Sequence, residues 1–302
     1  MYTRLYSLSA SHCASPDRRA RFIAASTVGR ATITEKKMPD SQGVFPETFN
    51  SDLSITPMLA AFFWGLLATS SLVLGAIISA SFPLNRQAMG IILGFGAGTL
   101  ISAISYELIY ESVSMARLSG FPALGFFAGA FTFFFADKLI TGLGASDRMT
   151  LEAPTKSSLV IPMVLAIILD GIPESTVIGL GLFEEGSVGM AMLVAVFISN
   201  LPESIAGSTG MKESGWSQRK IMLLWLVIAL VCALSTVAGY SLLSTASDRS
   251  LAFVQAFAGG AILMMLANSM IPEAYEHGGK MAGVSTVLGF SVSVSIVILE
   301  NS

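Results

Sequence analysis

The sequence predicts an all-α polytopic membrane protein with eight transmembrane helices in a 3+2+3 inverted-repeat arrangement. Three observations predict it. Hydrophobic residues make up 53% of the 302-residue chain and charged residues only 12%, against roughly 25% charged in an ordinary soluble domain. Apolar stretches that reach or approach the roughly 20 residues needed to cross a bilayer recur along the chain. Two of those stretches align with each other, one in each half of the sequence.

The first 37 residues carry five Arg and two Lys against only Asp17 and Glu35, a transit-peptide-like composition. A disordered tail, or an upstream extension ahead of a start at Met38 or Met58, fits that composition equally. Residues 38–57 are polar and mildly acidic and read as linker. The expected organisation is thus a disordered segment over 1–57 and a transmembrane domain over 58–300. Its spans fall at roughly 58–80, 87–109, 119–140, 158–183, 187–210, 220–243, 251–272 and 281–299. The longest connection, 141–157, is rich in Gly, Ser and Thr and reads as a flexible loop.

Orientation follows from basic residues near span ends. The loops after spans one, three, five and seven carry Arg86, Lys138, Arg148, Lys156, Lys212, Arg219, Lys220 and Lys280; the opposite side has Arg117 and Arg249. Both termini are therefore expected outside, in a plasma (inner) membrane. A genuine transit peptide over 1–37 would instead direct the chain to an organelle.

The repeat lies in the second and seventh spans. GFGAGTLISAISYELIYES (94–112) aligns without gaps with AFAGGAILMMLANSMIPEA (256–274), matching Phe95 to Phe257, Gly98 to Gly260 and Glu111 to Glu273. Each stretch is the middle of three spans flanking a central pair, a plan that puts the two triplets in opposite topology. Gly90, Gly94 and Gly98, and Gly125 with Gly129, form GxxxG steps that permit close helix approach. They read as scaffold.

The central pair carries the chemistry. The fourth span contains DGIPES (170–175) and the fifth SNLPES (199–204). Asp170 and Glu174 stand four residues apart on a helix, about 40° around the axis and about 6 Å along it, so both can address one small volume. Pro173 and Pro202 free the carbonyls of Leu169 and Ile198. A freed carbonyl inside a membrane is tolerated where protein, water or a ligand satisfies it. Ser199 occupies the place of Asp170 relative to Glu203, and Asn200 adds a neutral oxygen.

A carboxylate at the bilayer centre costs at least about 2.5 kcal/mol on insertion scales. No Lys or Arg occurs from residue 160 to 211 to neutralise the three. Either they carry protons and bond helix to helix, or a cation completes them. The cation reading gives the candidate metal ligands Asp170, Glu174, Ser199, Asn200 and Glu203, an all-oxygen set suited to manganese, magnesium or calcium, with zinc and ferrous iron accepted less readily.

A second group lies at span ends: Glu107, Glu111, Asn268, Glu273, Glu276 and His277. It reads either as a cation-collecting vestibule or as ordinary helix-end charge. Glu184 and Glu185 read as a solvated turn. Met264, Met265 and Met270 read as packing, and His277 as a surface histidine. With only two histidines and two distant cysteines, Cys13 and Cys232, there is no His-rich tract, CxxC pattern or disulfide framework.

These residues together resemble the ZIP (zinc/iron-permease-like) family of metal-ion transporters, as a divergent bacterial-type member. The likeness covers about residues 58–300, mostly as span order. Its specific part is the doubled Pro-Glu motif at 173–174 and 202–203, with a further Ile-Pro-Glu at 271–273. The family's fourth span typically reads His-Asn-x-Pro-Glu-Gly; here Asp170 replaces the histidine and Gly171 the asparagine. The sixth span has no Asp, Glu or His, where many members place a ligand, which favours a single ion. The resemblance implies transport of a divalent metal toward the cytoplasm, zinc first and manganese or iron next, by movement of one helix bundle against another. No cofactor is expected, the metal being substrate. The expected partners are that cation and the lipid bilayer, with no nucleic acid; assembly as a homodimer stays open.

A sodium- or proton-coupled cation exchanger is the nearest rival, since such proteins also pair inverted acidic helices, and a non-transporting scaffold is the other. An enzyme is not expected: HExxH is absent and no Ser/His pair lies within the spans.

Overall fold

The computed structural model describes residues 57–82, 85–116, 119–142, 160–242, 246–300 and 302. The expectations for residues 1–56, for most of the 141–157 loop and for Arg117, Arg148 and Lys156 lie outside the described residues, as do the side chains of Glu184 and Glu185. The described chain contains no strand. Eight helices are long and apolar enough to cross a bilayer: α1 (Pro57–Ser81), α2 (Arg86–Met115), α3 (Phe121–Gly142), α4 (Val160–Glu185), α5 (Met190–Glu213), α6 (Gln218–Leu242), α7 (Asp248–Gly278) and α8 (Lys280–Glu300). This is an all-α polytopic membrane protein.

Helices α2 and α7 run 30 and 31 residues, beyond the ends near 109 and 272 that the sequence suggests. Each passes through a π-helical segment, Ile104–Tyr110 in α2 and Leu266–Met270 in α7. The i→i+5 bonding keeps the backbone paired, so polar residues that read as a span end lie inside a continuous helix. The two helices match closely. Asn85 caps α2 by accepting from the Ala88 N–H at 2.7 Å, and at the aligned position Ser247 caps α7 by accepting from the Ser250 N–H at 3.4 Å. Their α-helical parts are both 18 residues long, so the π segments begin at aligned positions.

Packing divides the helices into two bundles. α1 packs on α5 and α6, and α4 on α6; α2 packs on α8 and α7, and α3 on α7; the packing of α2 on α5 joins the two groups. The repeat governs the second bundle. A side chain at Gly98 would overlap the Thr286 carbonyl of α8, and one at the aligned Gly260 would overlap the Phe126 carbonyl of α3. Backbone thus meets backbone where the GxxxG steps suggested. Gly98→Ala is expected to destabilise the protein by about 1–3 kcal/mol through overpacking, read as a lowered Tm in detergent. An unchanged Tm would mean that this helix pair can separate at no cost.

Polar side chains tie the first bundle together around α5. Thr69 Oγ1 of α1 donates to the Gly65 carbonyl at 2.8 Å and lies 3.4 Å from the Ala229 carbonyl of α6. Ser204 Oγ reaches the Ser71 carbonyl of α1 at 3.3 Å, and the Trp225 indole of α6 donates to Ser208 Oγ at 2.8 Å. In an apolar surround such bonds fix rotation about the helix axis, which sets the direction of Glu203 one position before Ser204.

Candidate functional site

The DGIPES and SNLPES segments face inward. Asp170, Glu174, Ser199, Asn200 and Glu203 are all buried, none more than 5% exposed. α4 and α5 continue as helices through Pro173 and Pro202. Asp170 and Glu174 sit one turn apart and interact electrostatically. Ser199 Oγ donates to the Val196 carbonyl of its own helix at 3.1 Å, which leaves its lone pairs for another partner. Asn200 Nδ2 is buried and makes no hydrogen bond among the described residues. A buried amide in that state calls for a partner.

Cys232 of α6 joins these helices. It is buried and free. A Cβ at Gly171 would come within 2.7 Å of its sulfur, so the missing side chain beside Asp170 is what admits the thiol. Cys232 also lies within electrostatic reach of Glu174 on α4 and Glu203 on α5, and beside Ser175. Because α6 lacks Asp, Glu and His, nothing in its composition points to the site. The available signal is the glycine next to Asp170, which makes room for a neighbour.

Met270, in the π segment of α7, is buried. A Cβ at Gly96 of α2 would meet its methyl at 2.9 Å and the Cα of Ser199 at 3.1 Å. Here α2, α5 and α7 converge beside the site.

Among the described residues the proposed ligands form no closed coordination shell. No group of three or more His, Cys, Asp or Glu among the described residues is arranged to hold a metal ion. The span-end residues do not gather into a vestibule. Glu273 is buried and pairs with His277, Oε1 to Nε2 3.4 Å, so His277 is not the surface histidine that the sequence suggests. Asn268 and Glu276 are exposed and Glu111 is half-buried. Glu107 turns to α5, where its Oε1 accepts from the Met192 N–H at 3.0 Å.

The two ends of α5 differ. Near Met192, a cavity of about 20 Å³ lies between Glu107, Val177, Leu180, Gly189 and Gln255, room for about one water molecule. At the other end, an open pocket of about 410 Å³ is lined by Ser79, Ser81, Ile205, Thr209 and Lys212. No protein-family model matches the chain, and no curated protein matches it.

Proposed function

We propose that the protein is a ZIP-like transporter that carries a divalent metal cation across the membrane, toward the cytoplasm, through Asp170, Glu174, Ser199, Asn200 and Glu203. The observation that carries the reading is the burial of three carboxylates in helices of transmembrane length, over a stretch of chain from 160 to 211 without a Lys or Arg. Ionisable residues at membrane depth are rare and functional, and an oxygen-rich set of this kind suits a divalent cation. Cys232 adds a soft donor to the oxygen set. Thiolate with carboxylate favours zinc, cadmium or ferrous iron over magnesium and calcium, in line with the metals that the family resemblance suggests.

Purified protein in liposomes should take up zinc, with iron or manganese next, and take up magnesium and calcium little. Uptake should proceed without a sodium gradient. Strict sodium dependence would transfer the chain to the exchanger reading. No uptake of any of these metals, with or without sodium or a proton gradient, would leave the scaffold reading in front.

A further inference from the structure

The start of α5 is held by the other bundle. The first N–H groups of a helix have no partner within it. Here carboxylates from α2 and α8 supply two sets of acceptors. Glu300, the last residue of α8, accepts from the Met190 N–H at 2.6 Å. Glu107 of α2 accepts from the Met192 N–H at 3.0 Å. Its other oxygen lies so close to Gly189 that any side chain there would overlap it. These are charge-assisted bonds made to the positive end of a helix dipole.

Both carboxylates come from α2 and α8 of one bundle, whereas α5 packs on α1 of the other and along α2, so the contact lies at the seam where the bundles meet. Glu107 stands within the π segment Ile104–Tyr110. One residue inserted into a helix turns all later residues by about 100°, so Glu107 does not keep the register of an uninterrupted α-helix. The aligned residue of α7 is Ser269, which carries no charge, so the repeat does not reproduce this contact. The small cavity containing Glu107 lies at this end of α5 and the open pocket at the other.

We propose that Glu107 and Glu300 form an inter-bundle latch, which holds the protein shut at the α5 N-terminal end and must release for that end to open. The proposal concerns the motion that gives access to the site, and it rests on the transport reading only for its purpose.

The test needs no metal. Leu180 lines the cavity beneath the latch and Thr209 lines the open pocket. Leu180→Cys and Thr209→Cys are made separately on a Cys13→Ser, Cys232→Ser background, and labelling by a water-soluble maleimide is timed in nanodiscs. Glu107→Gln with Glu300→Gln should raise the labelling rate at position 180 on the order of tenfold, as the population shifts between two states, and leave it unchanged at 209, whose pocket lies between α1 and α5 of one bundle. Gly189→Ala, which displaces the Glu107 carboxylate without removing a charge, should likewise raise the rate at 180 and leave that at 209 unchanged.

Rates that rise together mean general loosening and overturn the latch, as do rates that stay unchanged in both variants. A selective rise at 180 in a protein that takes up no metal would uphold the latch and defeat the transport reading. Metal uptake with unchanged labelling would do the reverse.

Discussion

Glu174→Gln combined with Glu203→Gln should lower metal uptake by about 100-fold or more, while Tm stays level or rises. Loss of supporting contacts around a metal costs about 10–100-fold, and this double substitution removes two direct ligands in the proposed set. The stability half of the expectation discriminates between readings. Glu174 and Glu203 are 2% and 5% exposed, and nothing in the sequence from 160 to 211 supplies a cationic side chain. Replacing buried charge by a neutral group of similar shape is often neutral or stabilising, and sites kept for function are commonly poor for stability. Carboxyls retained to bond helix to helix behave oppositely. Their replacement would lower Tm and leave uptake as it was. Measuring liposome uptake and detergent Tm on the same preparation separates the two outcomes.

The spans were legible because lipid permits few solutions. A backbone that must satisfy its own hydrogen bonds forms helices, and about 20 apolar residues mark each one. The aligned stretches 94–112 and 256–274 were legible for a related reason. Gly98 and Gly260 must both be small, since each meets a carbonyl of a neighbouring helix. The π segments were not legible. Nothing in side-chain periodicity marks a local change in backbone register, and Glu107, which meets the Met192 N–H of α5, lies within such a segment. Likewise Glu273 and His277 read as helix-end residues, although four-residue spacing brings them into a buried pair. The central carboxylates stood out from sequence because charge is rare in such runs. Cys232 did not, because a single cysteine in an apolar helix resembles any small hydrophobe.

That thiol gives the second large expectation. Cys232→Ser should reduce uptake of zinc and cadmium relative to manganese on the order of tenfold, by exchanging a soft donor for a hard one. The substitution changes volume little, so packing against Gly171 should survive and total folded protein should not fall. Thiol placement supports the expectation: the sulfur packs against the α4 segment at Gly171, next to Asp170. In the inverse experiment, Gly171→Ala would press a methyl against the sulfur and displace it while keeping every donor type. If the thiol is a ligand, both variants should shift the zinc-to-manganese uptake ratio in the same direction. A lowered Tm with an unmoved ratio in both would make Cys232 a packing residue, and metal choice would then fall to the oxygen set alone. Those five residues would favour manganese over zinc, so this ratio also decides how far the chain departs from the metal that its resemblance suggests.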